Sequence, residues 1–204
     1  MRIQRIVIGT GNSAKLVEWS SFLTPHVSVL SLKDFPPQPE IVETGTTFGQ
    51  NARIKATTYA KALGEFVFSE DGGYEIDFLG GLPGVKSRRI LPGDKEGTDD
   101  ELIDFVLEKL QGVPDVDRRV KLTSAAAFSD PSGQILFEDS NSSEGLVTTK
   151  RGPVLIPGYP FRTIHFLPEL GKTYAELTDA EHEKFSHKRP IAKKLIEFLS
   201  DFEY

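Results

Sequence analysis

Apolar and polar positions along the chain switch repeatedly between a period of two and a period near 3.6. Ile6, Val7 and Ile8 form a short apolar run inside a strand pattern that starts at Arg2. Gly9-Thr-Gly-Asn-Ser13 follows as a turn, and Ala14 to Leu23 carries Leu16, Trp19 and Leu23 at helical spacing. Val27 to Leu32 reads as a second strand, closed by Asp34 and a proline-rich loop (Pro36, Pro37, Pro39). Between Thr46 and Leu63 the positions Phe48, Ala52, Ala56, Tyr59, Ala60 and Leu63 make one helical stripe, with Asn51 and Lys55 one turn apart at its edge. Phe66-Val-Phe68 predicts a buried strand ending at Ser69-Glu-Asp-Gly-Gly73, and Tyr74, Ile76 and Phe78 alternate with acids as the next strand.

The second half continues the mixture. Gly80 to Gly84 is a turn cluster, and Thr98 with Glu101 has the spacing of a capping box opening a helix to Leu110. Val120 to Phe128 alternates as a strand and turns through Asp130-Pro-Ser-Gly133 into Gln134 to Glu138, a predicted hairpin. Leu146 to Thr149 reads as another strand before the Pro/Gly-rich segment from Gly152 to Pro160. Thr178 with Glu181 predicts a second capping box, and Pro190 opens a last helix with Ile191, Leu195, Phe198, Leu199 and Phe202 on one face. Helices interleaved with strands, and hairpins in the middle, predict an α/β fold with a mixed sheet. No repeat, low-complexity tract or linker interrupts residues 1–204, so one domain is expected.

Composition narrows the function. A net charge of −6 speaks against a general nucleic-acid binder, which needs a basic surface. It leaves room for a small anionic ligand held by a few lysines. No apolar run approaches the roughly 20 residues of a membrane span, and no signal-peptide pattern precedes the first strand. The absence of cysteine removes disulfides and thiolate chemistry and fits a reducing, cytoplasmic setting.

Three segments have the residue types for chemistry. The turn at Thr10, Gly11 and Asn12, with Lys15 in the following helical turn, aims backbone N–H groups and a positive charge at one point, which suits an anion. Gly9 to Ala14 also satisfies GxGxxA with Asp34 about 20 residues on, the dinucleotide fingerprint. An ordinary tight turn with a solvated lysine explains the same residues. Glu70 and Asp71 are adjacent carboxylates that repel unless a cation or donor intervenes, and Mg²⁺ prefers oxygen ligands of this kind. An acidic turn facing water is the alternative there. Ser186-His-Lys-Arg189 offers donors for a phosphate or a base carbonyl, and equally reads as a solvated basic turn. Zincin, serine-hydrolase and P-loop patterns are absent.

Taken in order, the segments resemble the inosine/xanthosine triphosphate pyrophosphatase (Ham1, or non-canonical purine NTP pyrophosphatase) family. Thr10-Gly-Asn-Ser-Ala-Lys15 is similar to TGNxxK, and Glu43 to Ala56 to ETGxTFxENAxxKA. Ser69-Glu-Asp-Gly-Gly-Tyr74 with Leu79 to Ser87 resembles ADDSGLxVxALGGxPGVxS, while Leu167 to Thr173, Ala175 to Thr178 and Ser186 to Lys188 resemble PxxGKT, AELT and SHR. The Rossmann reading accounts for the first segment alone.

The resemblance implies an elongated two-lobed fold with a central cleft, a homodimer, and Mg²⁺-dependent cleavage between the α- and β-phosphates of non-canonical purine nucleotides such as ITP, dITP and XTP. Mapped here it implies Asp71 as the catalytic residue, and Asp71, Glu70 and Gln50 around the metal. It implies Thr10, Asn12, Lys15 and Lys55 on the phosphates, Gly11 and Gly72 among the other substrate-binding residues, and His187 and Lys188 on the 6-oxo group of the base.

Four positions depart from the family pattern. Gln50 stands where its metal-binding glutamate belongs, and Ile156 to Thr163 keeps Phe161 or Tyr159 to stack on the base but has Arg162 or Pro160, also on the substrate side, in place of the FGYD aspartate. His182 replaces a lysine, and Lys188 the arginine of SHR. These departures leave two alternatives open: a pyrophosphatase with altered base specificity, or a catalytically weak protein that binds or senses triphosphates.

Overall fold

The computed structural model describes residues 3–202; Arg2, the start of the first expected strand, lies outside them. β1 (Arg5–Ile8) is followed by α1 (Ser13–Leu23), β2 (Ser28–Ser31), α2 (Phe48–Leu63) and β3 (Val67–Ile76). Next come β4 (Leu82–Pro83), α3 (Asp99–Lys109), β5 (Arg119–Ser129) and β6 (Ile135–Val147). β7 (His165–Leu167), β8 (Lys172–Thr173), α4 (Asp179–Phe185) and α5 (Arg189–Asp201) complete the order. The sheet runs β2-β1-β3-β5-β6-β7-β8, with β4 paired to β3. β1 is parallel to both β2 and β3, whereas β3/β4, β6/β7 and β7/β8 are antiparallel. The sheet is therefore mixed, as expected.

Helix ends follow local chemistry. Thr98 and Thr178 each form the expected reciprocal capping box with Glu101 and Glu181. α2 starts on the Thr47 hydroxyl and stops at Gly64, whose φ of 65° needs a residue without a Cβ. Asp34, the acid of the dinucleotide fingerprint, instead accepts from Ser31 N at 2.7 Å and caps a short 3₁₀ turn. That use removes the ribose-binding role from the Rossmann reading.

The chain divides into two compact units. The first comprises residues 1–71, 124–141 and 188–204, and the second 72–123 and 142–187. In the first, β1 is buried on both faces, which explains its unbroken apolar run. Ile6 and Ile8 pack with Trp19, Phe68, Phe128 and Leu195, while Val7 packs with Ala60 and Val67. Ala52, Ala56 and Ala60 of α2 are buried at four-residue spacing, with buried Phe48 at the head of the same row. In the second unit Tyr74, Ile76, Leu102, Val106, Phe161, Ile164 and Tyr174 share one core. Each such large side chain contributes about 1.5–3 kcal/mol on burial.

Two strand expectations change. The residues expected as two short strands around Ser69–Gly73 form one ten-residue strand, so the acidic pair lies within β3 rather than at a strand end. The hairpin return and the strand from Leu146 likewise merge into a single β6 of thirteen residues. Pairing with neighbours overrides the local glycine and acid signals in both places. β7 and β8 were not anticipated; three- and two-residue strands carry too short a pattern to read.

Candidate functional site

Alternation along β3 settles how two adjacent carboxylates coexist. Successive side chains of a strand leave opposite faces. Glu70 therefore shares a face with Phe68, whose neighbours are Trp19 and α1, and Asp71 shares a face with Val67, which packs with Ala60 of α2. The repulsion expected between the pair unless a cation or donor intervenes is relieved on each face separately: Lys15 and Ser124 serve Glu70, and Lys55 and Asn51 serve Asp71.

Glu70 is nearly inaccessible, at 4 % exposure. Its Oε2 lies 3.0 Å from Lys15 Nζ and 4.0 Å from Lys188 Nζ, and the Ser124 hydroxyl of β5 donates to Oε1. Burial alone would raise this carboxyl, but Lys15, Lys188 and Ser124 together outweigh it and hold Glu70 well below the usual carboxylate range. Lys188 is itself buried, 2.8 Å from Glu18 Oε2 and over the Trp19 ring at 5.6 Å. The lysine expected on the base is thus engaged with two carboxylates of the first unit.

Asp71 receives one donor on each oxygen, both from α2. Asn51 Nδ2 reaches Oδ2 at 3.2 Å and Lys55 Nζ reaches Oδ1 at 3.1 Å. Positions 51 and 55 are four apart, so they project from one face of the helix. Lys55 also meets Glu43 Oε1 at 2.9 Å. Burial works against its charge, but Asp71 and Glu43 more than compensate and raise the ammonium above its ordinary value.

At the N-terminus of α1, Asn12 Oδ1 accepts from Ala14 N at 2.9 Å and Lys15 N at 3.2 Å. Thr10 Oγ1 accepts from Asn12 N at 3.2 Å. The expected anion turn is therefore ordered by its own side chains, with Gly11 exposed at its tip. Gly9 must be glycine, because a Cβ there would lie 2.4 Å from Ser69 Oγ. Gln50 does not turn toward the acids: its Oε1 accepts from Thr46 N at 2.7 Å and Thr46 Oγ1 at 3.0 Å.

The second unit holds an aromatic and basic cluster. Phe161 stacks on Tyr74 with centroids 4.9 Å apart and planes 6° off parallel. Arg162 places its guanidinium 3.7 Å from the Tyr159 ring centre and 5.2 Å from that of Tyr174. The Tyr174 hydroxyl meets His187 Nδ1 at 3.0 Å, fixing that ring. His165 stands edge-on to Tyr74 and Tyr174, with Nε2 3.2 Å from Ser143 Oγ. Burial, helped by the Arg162 charge, lowers its pKa to about 3, so this imidazole is neutral. Gly72 begins this unit on β3 and is half-buried.

The structure thus brings Lys15 to Glu70 and Lys55 to Asp71 in one unit, and Tyr159, Phe161, Arg162 and His187 around Tyr74 and Tyr174 in the other. Sequence reasoning missed Asn51, Ser124 and Glu18 as partners and gave Glu43 no role. The four-residue spacing of Asn51 and Lys55 was a readable signal; Ser124 and Glu18 had none. Among the described residues no group of three or more His, Cys, Asp or Glu side chains is arranged to hold a metal ion, and no helix is long and apolar enough to cross a membrane.

Comparison with known proteins follows the same segments. The Ham1 family model matches residues 6–198. A dITP/XTP pyrophosphatase of Shouchella clausii is 37 % identical over 197 residues, covering 97 % of each chain. One of Geobacillus kaustophilus is 35 % identical, covering 96 % of this chain and 94 % of the relative. The solved HAM1 protein of Coxiella burnetii superposes with a TM-score of 0.84 at 30 % identity, covering 98 % of this chain and 100 % of its own. The Ham1 protein of Staphylococcus aureus gives 0.80 at 28 % identity, with 97 % and 98 % covered.

Proposed function

The chain belongs to the Ham1 family, and on that premise we propose that it hydrolyses non-canonical purine nucleoside triphosphates of the dITP and XTP kind to a monophosphate and pyrophosphate, clearing them from the nucleotide pool. The observation that carries this reading is Asp71, a carboxylate on a buried strand with one donor on each oxygen, one of them Lys55, while Lys15 pairs with the adjacent Glu70.

Each residue has a chemical task. Asp71 accepts the proton of a water that attacks the α-phosphorus; the α–β bridging P–O bond breaks, and pyrophosphate leaves with that oxygen. Lys55, carrying its full charge, and Lys15 attract the triphosphate, and the capped turn of Thr10, Gly11 and Asn12 presents backbone donors to it. Glu70 keeps Lys15 and Lys188 in place and takes no part in the proton transfer. Tyr159, its ring backed by Arg162, supplies the aromatic surface for the base, and His187, held by Tyr174, donates to its 6-oxo group. Phe161 serves chiefly as packing for Tyr74.

Mg²⁺ fits this donor set in a specific way. Such an ion is commonly held by one or two carboxylates together with substrate phosphates and waters, not by an all-protein cage. Asp71, which retains lone pairs beyond its two donors, would hold it with the triphosphate. When bound, the metal neutralises developing phosphate charge and activates the water. Gln50 is assigned to capping its own loop. A homodimer, on the family resemblance, and a cytoplasmic setting, which a chain without cysteine fits, complete the proposal.

Pyrophosphate release from dITP, XTP, dATP and dGTP with Mg²⁺ tests the proposal. Turnover of the first two, lost in Asp71→Asn, is the expected result. Binding without turnover on every substrate would instead favour a nucleotide-sensing protein, the reading that the departures at Gln50 and Arg162 keep open.

A further inference from the structure

Asn51 is 1 % exposed and its amide is spent on two partners. Oδ1 accepts from the Gly45 backbone N–H at 2.8 Å, and Nδ2 donates to Asp71 Oδ2 at 3.2 Å. A backbone N–H can only donate, so the amide has one orientation: oxygen toward Gly45, nitrogen toward Asp71. One turn along α2, Lys55 repeats the arrangement between Glu43 and Asp71 Oδ1. Every donor on Asp71 that α2 supplies is thus also tied to residues 43–45. Gly45 is the second, independent sign of a built contact. A Cβ there would lie 2.5 Å from Asn51 Oδ1, 2.7 Å from Gln50 Cβ and 2.9 Å from Asn51 N, so the loop approaches the helix only as glycine.

We propose that Asn51 is a positioning residue for Asp71, setting the rotation of its carboxylate and coupling that rotation to the docking of residues 43–47 on α2. The proposal rests on the reading of Asp71 as the group that activates water. The terminal torsion of an aspartate is broad, and a single donor leaves the plane of the carboxylate free to swing. A donor on each oxygen removes that freedom and leaves the remaining lone pairs in fixed directions. A base must lie within about 2.6–3.2 Å of the proton it takes, so a loosened carboxylate loses rate without losing substrate affinity.

Two variants separate the contact from general stability. Asn51→Asp retains the acceptor for Gly45 and replaces the donor to Asp71 with a second carboxylate. Gly45→Ala pushes Asn51 from the other side and leaves Asp71 and Lys55 unaltered. With both variants folded by circular dichroism, we expect kcat on dITP to fall about 10–100-fold, as for other residues that orient a reactive group, with KM within about threefold. A kcat for Asn51→Asp within twofold of wild type, or a loss confined to KM, overturns the proposal. An Asp71→Asn variant with normal turnover would show that the reading of Asp71, not this contact, has failed. Independently of turnover, exchange of the Asn51 side-chain amide protons, followed by NMR, is expected to quicken at least tenfold in Asp71→Ala; equal rates refute the contact itself.

Discussion

Glu70→Gln is the substitution that divides structural from chemical acids in β3. Glutamine keeps the shape and an acceptor for the Ser124 hydroxyl, but removes the charge that faces Lys15 at 3.0 Å and Lys188 at 4.0 Å. Breaking a buried pair by deleting one partner costs about 3–5 kcal/mol. Lys188 keeps Glu18, and Lys15 retains 17 % side-chain exposure through which it can rehydrate. The lower end, about 3 kcal/mol, is therefore expected. For a chain of this size that corresponds to a fall in Tm of about 6–12 °C. Trp19, the single tryptophan, is fully buried and lies 4.7 Å from the Phe68 ring on the same strand face, so urea unfolding followed by its fluorescence reports this region. The sign in pH follows from the depressed carboxyl of the folded state. Its contribution is present above the unfolded value of about 4.3 and is lost as pH falls below it, so the wild type should lose stability in acid more steeply than the variant. Asp71→Asn, by contrast, should abolish turnover at a smaller cost in stability, about 1–3 kcal/mol, since Lys55 keeps Glu43 and one α2 donor is left facing the new amide nitrogen. A Glu70→Gln protein as stable as wild type but catalytically dead would refute the division.

Other outcomes follow from single contacts. His165 stays neutral in the fold with a pKa near 3 while the unfolded chain takes up a proton near 6.5, so stability should fall by about 1.4 kcal/mol per pH unit between these values. His165→Phe should flatten that slope in urea titrations at pH 6 and pH 4.5, and an unchanged slope counts against the burial argument. Gly9→Ala drives a Cβ to 2.4 Å from Ser69 Oγ and 2.9 Å from Val67, and should cost about 1–3 kcal/mol in the same assay. Gln50→Glu keeps both acceptor contacts to Thr46 and adds an acid to the first turn of α2; it should stabilise the protein by about 0.3–1 kcal/mol and leave the divalent-ion dependence of turnover unchanged.

What could be read along the chain was set by local physics. Capping boxes at Thr98 and Thr178 and the βα turn after Ile8 depend on residues a few positions apart, and they form as expected. The error at Glu70 and Asp71 was also local in origin: glycines and acids suggested a strand end, whereas pairing carries β3 through them. Once the strand continues, period two alone sends the acids to opposite faces, and each finds its own cation and donor instead of one between the two. The partners on each face are a different matter. Glu18 and Lys188 are 170 positions apart, and Ser124 and Glu70 are 54 apart. No spacing rule connects them; only the fold does. Asn51 lies between these cases, because its four-residue relation to Lys55 was visible while the strand both residues face was not. Adjacent acids in a buried strand are therefore better approached by asking which helix covers each face than by asking what single ion could join them. In this chain that question separates an acid that holds lysines from an acid that two α2 residues hold in place.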